Sequence, residues 1–202
     1  MSPRTWHTCQ PMDLQSLARQ WFLSSRRIEL QKLAVELGIS RATAYRWGGS
    51  AEQLVGRVLA SLVDDTFRQL AHRSRATGGE RVLDVLERGM RYAHKFRPLQ
   101  QFLARDAQLG LRIVASKHSP VQERTIANLQ WLLEEEIDAG HMSLPVTPDV
   151  MAYALTRIVE SFLYSDLIIG AAAELENASS IVKLMLCQDP QREPVQTETR
   201  IP

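Results

Sequence analysis

Residues 29–47, ELQKLAVELGISRATAYRW, decide the fold. Leu30, Leu33, Ala34 and Leu37 recur at the i, i+3, i+4, i+7 spacing of a helix with one buried face. Gly38 comes next, and glycine takes the positive φ of a tight helix exit without steric cost. Ile39 plugs the turn, and the Ser40 hydroxyl is placed to cap a second helix. That second helix carries Arg41, Thr43, Tyr45 and Arg46, with small Ala42 and Ala44 between them. An ordinary helical hairpin uses the glycine and the cap. It has no packing need for the basic and hydroxyl side chains. Helix, glycine turn and capped helix with exposed Arg, Thr and Tyr form the pattern of a helix-turn-helix DNA reader.

The flanking residues complete a three-helix head. DLQSLARQWFLSS, residues 13–25, sets Leu14, Leu17, Ala18, Trp21 and Phe22 on one helix face, which makes the two aromatics core residues. Residues 1–12 read as a flexible arm with two prolines, and 13–50 as the DNA-binding domain. Residues 1–50 hold seven basic and three acidic residues, whereas 51–202 hold 17 and 20. The net +1 of the chain therefore hides a positive head, and Lys and Arg there would release counterions from a phosphate backbone. Arg41 begins the recognition helix and is placed to fork to a guanine, with Ala42 close to a base edge. Ser40, Thr43, Tyr45 and Arg46 are DNA-facing candidates, and Thr43 and Tyr45 suit phosphates. Arg27, Lys32 and Arg4 are further phosphate candidates.

Everything downstream has helical periodicity, so the expected fold class is all-α. A helix over 51–73 carries Leu54, Val55, Val58, Leu59, Leu62, Val63 and Phe67 as its stripe. It is the only continuous element joining the head to the rest of the chain. SRATGG, 74–79, is a loop by composition. Further helices are expected over 80–97, 98–115, 119–139, 148–169 and about 174–187, with prolines at or near the start of three of them. The polar, proline-bearing 188–202 reads as a disordered tail. The 148–169 helix is apolar on more than one side, and together with the last helix it offers more apolar surface than a monomer tolerates. A twofold four-helix interface, and so a homodimer, is expected from roughly 148–187.

Enzyme chemistry finds little support. There is no G-x-S-x-G, no Gly-rich phosphate loop and no H-E-x-x-H. The histidines lack neighbours at metal spacing, and Cys9 and Cys187 stand at opposite ends of the chain. No apolar run reaches bilayer length, and the start lacks the apolar stretch of a secretory signal, so a cytoplasmic, membrane-free protein is expected. No cofactor or metal is implied. Aromatic and polar residues after position 80 are candidates for a ligand cavity between helices: Tyr92, Phe96, Phe102, Trp131 and Phe162, with Asp106, Glu135 and Asp166 as polar anchors. Tyr153 and Tyr164 lie in the same helices. A helical enzyme or interaction protein with a structural helix-turn-helix is the alternative reading.

GISRATAYRW resembles the turn and recognition helix of the TetR family of bacterial regulators, written G-V-S-x-x-T-x-Y-x-H-F. Gly38, Ser40, Thr43 and Tyr45 fall on its fixed positions, and Gly49, Ser50, Glu52 and Leu54 resemble the family's P-S-K-E-x-L. Gly48 departs from the family's Phe, which predicts looser packing at the helix end. Ala51 replaces a basic residue and removes a phosphate contact. The Tyr-Arg-Trp triplet followed by glycines is similar to regulators of quorum-signal (lactone) degradation. The resemblance implies a repressor that binds a palindromic double-stranded operator as a dimer. It also implies a small-molecule effector, a lactone or related acyl compound, bound within 51–187.

Overall fold

A computed structural model describes residues 9–116, 119–170 and 172–187. All regular structure among them is helical: α1 (Pro11–Leu23), α2 (Leu30–Leu37), α3 (Arg41–Gly48), α4 (Ala51–Arg73), α5 (Gly78–Lys95), α6 (Arg97–Arg105), α7 (Ala107–Ala115), α8 (Pro120–Asp138), α9 (Pro148–Leu163), α10 (Ser165–Ile169) and α11 (Leu175–Leu186). The all-α architecture is the expected one. The 188–202 tail and Arg4 lie outside the described residues.

Three boundaries differ from expectation, each for a local reason. Helix α1 opens at Pro11, inside the expected arm, because the Gln10 amide donates to the Asp13 carboxylate (2.6 Å) and Pro11 needs no partner at the first helical position. The expected 98–115 helix is two helices. Asp106 leaves the helical conformation, and its carboxylate accepts from the Leu109 amide (2.9 Å), capping α7. The expected 148–169 helix breaks at Tyr164, where φ is −110° and ψ is 20°.

Two apolar cores hold the chain. The first contains Leu14, Ala18, Trp21 and Phe22 of α1, Leu30, Leu33 and Ala34 of α2, and Leu54 and Val58 of α4. It continues without a break into Leu99, Leu103, Ile113 and Val114 of α6 and α7. The head therefore shares its core with part of the helical domain. The second core joins Phe67 and Ala71 at the far end of α4 to α5, α8, α9 and α11, with Leu129, Leu132, Leu133 and Leu155 fully buried.

A buried carboxylate pins this second core. Glu136 of α8, 2% exposed, accepts from the Gly78 amide, Arg81 and His141 Nδ1 (2.9 Å). Arg81 also reaches Glu135 (3.1 Å) and the Ala71 carbonyl (3.3 Å), so the cluster ties α4, α5 and α8 together. Burial pushes the Glu136 carboxyl up, but the hydrogen bonds from Arg81, Gly78 and His141 outweigh it and hold the group below its ordinary 4.5. Its stabilisation is present above 4.5 and is lost as pH falls through the depressed folded value. Replacing Glu136 by Gln leaves Arg81 without its buried partner, and breaking such a pair costs about 3–5 kcal/mol. Urea denaturation at pH 7 is expected to show a loss of this size. The gap between variant and wild type is expected to narrow on acidification below pH 4.5.

Candidate functional site

The helix-turn-helix is built as its sequence requires. Gly38 ends α2 in the left-handed region (φ 66°), and the Ile39 amide donates back to the Ala34 carbonyl (3.0 Å). Ser40 Oγ accepts from the Thr43 amide (3.1 Å) and shares a hydrogen bond with Thr43 Oγ1 (2.9 Å). Ala44 and Gly48 form the buried face of α3, while Arg41, Ala42, Tyr45 and Arg46 are exposed. Lys32 is exposed but paired with Glu29 (2.8 Å), and Arg27 is exposed beside the turn between α1 and α2.

Gly48 corrects one expectation. The helix end is tight, because a Cβ there would lie 2.6 Å from Leu30 Cδ2 and 3.2 Å from Leu14 Cδ2. Leucines from α1 and α2 occupy the room that a Phe would have filled. Arg57 of α4 donates to the Gly48 carbonyl (2.7 Å) and the Trp47 carbonyl (3.3 Å), satisfying orphan acceptors at the end of α3. Arg57 thus fastens the recognition helix to α4. It sits on the apolar helix as one of several surface-type charges, so the sequence pattern did not single it out.

A cavity of about 170 Å³ lies within the helical domain, walled by α4, α5, α8 and α9, with Phe96 and Leu99 also in its lining. Its surface is mostly apolar. Polar groups enter from α9 and its end, where Thr156, Glu160 and Tyr164 succeed one another at four-residue spacing on one face. Glu160 is 8% exposed and accepts from Gln122 Nε2 (3.1 Å) and Arg157 (2.6 Å). Burial pushes its carboxyl up to about 7, against the opposing pull of Arg157 and Gln122. Burial, with the Glu160 charge nearby, also raises the Tyr164 hydroxyl. Thr156 is 1% exposed, and its hydroxyl has no hydrogen-bond partner.

Of the expected ligand residues, the structure brings Tyr92 and Phe96 to the cavity, stacked at 5.3 Å. Tyr164 joins them. The other expected residues lie elsewhere. Phe102 packs edge-on against Phe22 of the head (6.0 Å), and Asp106 is spent as the α7 cap. On α8 the inward stripe is Leu129, Leu132, Leu133 and Glu136, which turns Trp131 and Glu135 outward. Phe162 is half-buried but off the cavity lining, and Asp166 is exposed on α10. Thr156 and Glu160 were missed, although two polar residues at i, i+4 inside an apolar helix were a usable signal. Among the described residues no group of three His, Cys, Asp or Glu is placed to hold a metal ion, and no helix is long and apolar enough to cross a membrane.

A helix-turn-helix head joined to an all-helical domain defines a transcriptional regulator. A family model for the tetracyclin repressor-like C-terminal domain matches residues 77–187. The chain belongs to the TetR family of transcriptional regulators. The repressor QsdR of R. erythropolis, a TetR-family structure, is similar with a TM-score of 0.83 and 26% identity, covering 91% of this chain and 97% of that one. AlkX of Dietzia sp. gives 0.58 and 15% over 88% and 93%. FadR of Bacillus subtilis, solved with stearoyl-CoA, gives 0.55 and 14% over 88% and 98%. The last two show the fold alone. No curated protein matches the chain.

The raised Glu160 carboxyl has a measurable consequence. A folded value near 7 against an ordinary 4.5 means that Glu160 favours the folded state below pH 4.5, and that this contribution fades as pH rises through 7. Glu160→Gln removes the titration. Its melting temperature is expected to gain on wild type between pH 5 and pH 8. The expected gain is at least about 2–4 °C, the shift that 1 kcal/mol gives in a chain of this size. A constant difference across that range would show that Glu160 keeps its ordinary value.

Proposed function

We propose that this regulator is a repressor that binds a palindromic operator as a homodimer and is released by a small-molecule effector in the α4–α9 cavity. In this reading 13–50 reads DNA, and 51–187 senses the effector and dimerises. Arg41 and Ala42 read bases, while Ser40, Thr43, Tyr45, Arg46, Arg27 and Lys32 hold the backbone. The exposure of Arg41, Ala42, Tyr45 and Arg46 on one side of α3 supports this assignment. The Lys32–Glu29 pair and the Ser40–Thr43 hydrogen bond would each have to yield to a phosphate. Exposed Val150 and Tyr153 on α9, and Ile181 and Leu184 on α11, support a second copy packing there. The similarity to QsdR, a transcriptional repressor, supports the repressor role. The sequence resemblance to lactone-degradation regulators supports a lactone or acyl effector.

The single observation that carries the release mechanism is the position of Phe96. It lines the cavity and also lies 6.4 Å from Phe22, a core residue of the head. Helix α4 remains the continuous link, and these contacts add to it. A second joint runs through α6 and α7, where Arg105 donates to the Ser25 carbonyl (2.6 Å) and Arg112 pairs with Glu52 (2.8 Å). The Arg112–Glu52 pair is exposed and worth about 0–1 kcal/mol, so the contacts of half-buried Phe96 and Phe102 with buried Phe22 are the stronger connection. An effector that displaces Phe96 shifts the head, and with it the distance between the two recognition helices. DNA holds that distance at about 34–36 Å or a multiple.

Two measurements test the proposal on an operator selected from random DNA. Arg41→Ala is expected to weaken operator binding by about 1–3 kcal/mol and random-sequence binding much less. Equal loss on both removes the base-reading role. The effector is then titrated with and without saturating operator. Each must weaken the other's binding by one common factor. Phe96→Ala is expected to bring that factor toward one while Arg41→Ala leaves it unchanged. An unchanged effector affinity in wild type overturns the repressor mechanism.

A further inference from the structure

Gly48, Gly56, Gly79, Gly89 and Gly110 lie within helices and outside the left-handed region. Glycine weakens a helix relative to alanine, so each of them needs a reason. For four of them the reason is a close neighbour. A Cβ at Gly48 would lie 2.6 Å from Leu30 Cδ2, and one at Gly56 3.0 Å from Pro120 Cγ. At Gly79 it would lie 2.6 Å from the Leu186 carbonyl oxygen, and at Gly110 2.7 Å from Leu103 Cδ2. Gly89 is the exception. A Cβ there would meet only Leu70 Cδ1, at 3.8 Å, which is an ordinary contact. Packing in the empty protein does not exclude a side chain at this position.

The space beside Gly89 belongs to the cavity. Gly89 stands in the middle of the row that α5 turns toward it. Val85 and Leu86 lie four and three residues before it, Tyr92 and Ala93 three and four after it, and all of them line the cavity. Leu70, the one neighbour, lines it from α4. A side chain at 89 would therefore extend between α4 and α5 into the volume that a ligand needs. That volume is about 170 Å³, close to the ~150 Å³ of an engineered cavity that takes benzene, so one added side chain takes a large share of it. The lining also fixes the chemistry. None of its residues is Lys, Arg or His, and its one carboxyl, Glu160, is engaged by Gln122 (3.1 Å) and Arg157 (2.6 Å). Around Gly89 the surface is leucine, valine and aromatic carbon.

We infer that Gly89 sets the size of ligand that the cavity admits: its missing side chain is room for the apolar part of an uncharged ligand, between Leu70 of α4 and the inward face of α5. Helix stability is given up at this position for ligand volume. This rests on the cavity being the effector site of the proposed regulator, and it names the residue that determines which effectors fit.

The test uses the full-length protein without DNA and two uncharged probes of different length, toluene and butylbenzene. Calorimetric titration of wild type is expected to show both binding. Gly89→Ala is expected to raise the melting temperature by about 2–4 °C, because alanine favours the helix and the site has room for it. The same variant is expected to weaken butylbenzene by at least about fivefold, the cost of overfilling a packed site by one methyl group, and toluene by less. Gly89→Leu is expected to keep a cooperative melt and to weaken both probes by about tenfold or more. Stability and affinity thus move in opposite directions, which a glycine retained for backbone or packing reasons would not produce. Gly89→Ala melting below wild type overturns the inference, as does Gly89→Ala binding butylbenzene as tightly as wild type. So does a wild type that binds neither probe. Probes that bind in a Gly89-dependent way yet leave operator affinity unmoved uphold the role of Gly89 and overturn the release mechanism, so the two failures are distinguishable.

Discussion

Helix α4 is buried at both ends, in two different cores. Leu54, Val55 and Val58 belong to the cluster that holds the head, and Phe67 and Ala71 belong to the cluster under α5, α8 and α11. At 23 residues it spans about 35 Å. It is fixed at its start by the Ser50 hydroxyl, which accepts from the Gln53 amide (3.1 Å). One turn later Arg57 grips the carbonyls that end α3. The recognition helix is therefore seated on α1 and α2, where Gly48 meets Leu14 and Leu30, and is fastened to α4 by Arg57. The middle of α4 borders the cavity through Leu59, Val63 and Thr66.

A single lever of this kind would be free to pivot about Gly49. The contacts from α6 and α7 restrict that freedom. Phe22 stands between Phe96 and Phe102, so the head leans on the connection between α5 and α6 as well as on α4. Aromatic pairs of this sort contribute about 0.5–1.5 kcal/mol beyond the area they bury. Coupling between two sites typically amounts to about 1–3 kcal/mol. Two such contacts are thus of the right size to carry the coupling, whereas the exposed Arg112–Glu52 pair is not.

The helical fold and the reading head were legible because they rest on local rules. Gly38, Ser40 and the stripe of α2 prescribe the turn from within the short stretch that opens at Glu29, and α3 is then dictated by its cap. The two broken helices were not legible. Asp106 caps from mid-pattern, and apolar periodicity continues past it on both sides. Gly48 misled for a related reason, since its tightness comes from Leu14 and Leu30, both distant from it along the chain. The cavity was the least legible part. Aromatic residue type pointed to Trp131, Phe162 and Phe102, but which way a side chain faces depends on helix phase against several neighbours at once. The stripe through Leu129 and Leu133 turns Trp131 out, and nothing in its own residue type records that.

Thr156 and Glu160, which the sequence pattern did not reveal, are poor choices for stability alone. A leucine at 156 or 160 would pack the cavity wall without an orphaned hydroxyl or a carboxyl driven up by burial. Unpartnered polar groups in a core lower stability by about 1–3 kcal/mol each. Of the polar groups on this face of α9, Glu160 is hydrogen-bonded to Gln122 and Arg157, and Thr156 Oγ1 is buried without a partner. A ligand can move an equilibrium only by its differential affinity for the two states. Under the proposed mechanism, occupancy of the cavity would reach α3 through Phe96, which lines the cavity and lies against Phe22 of the head.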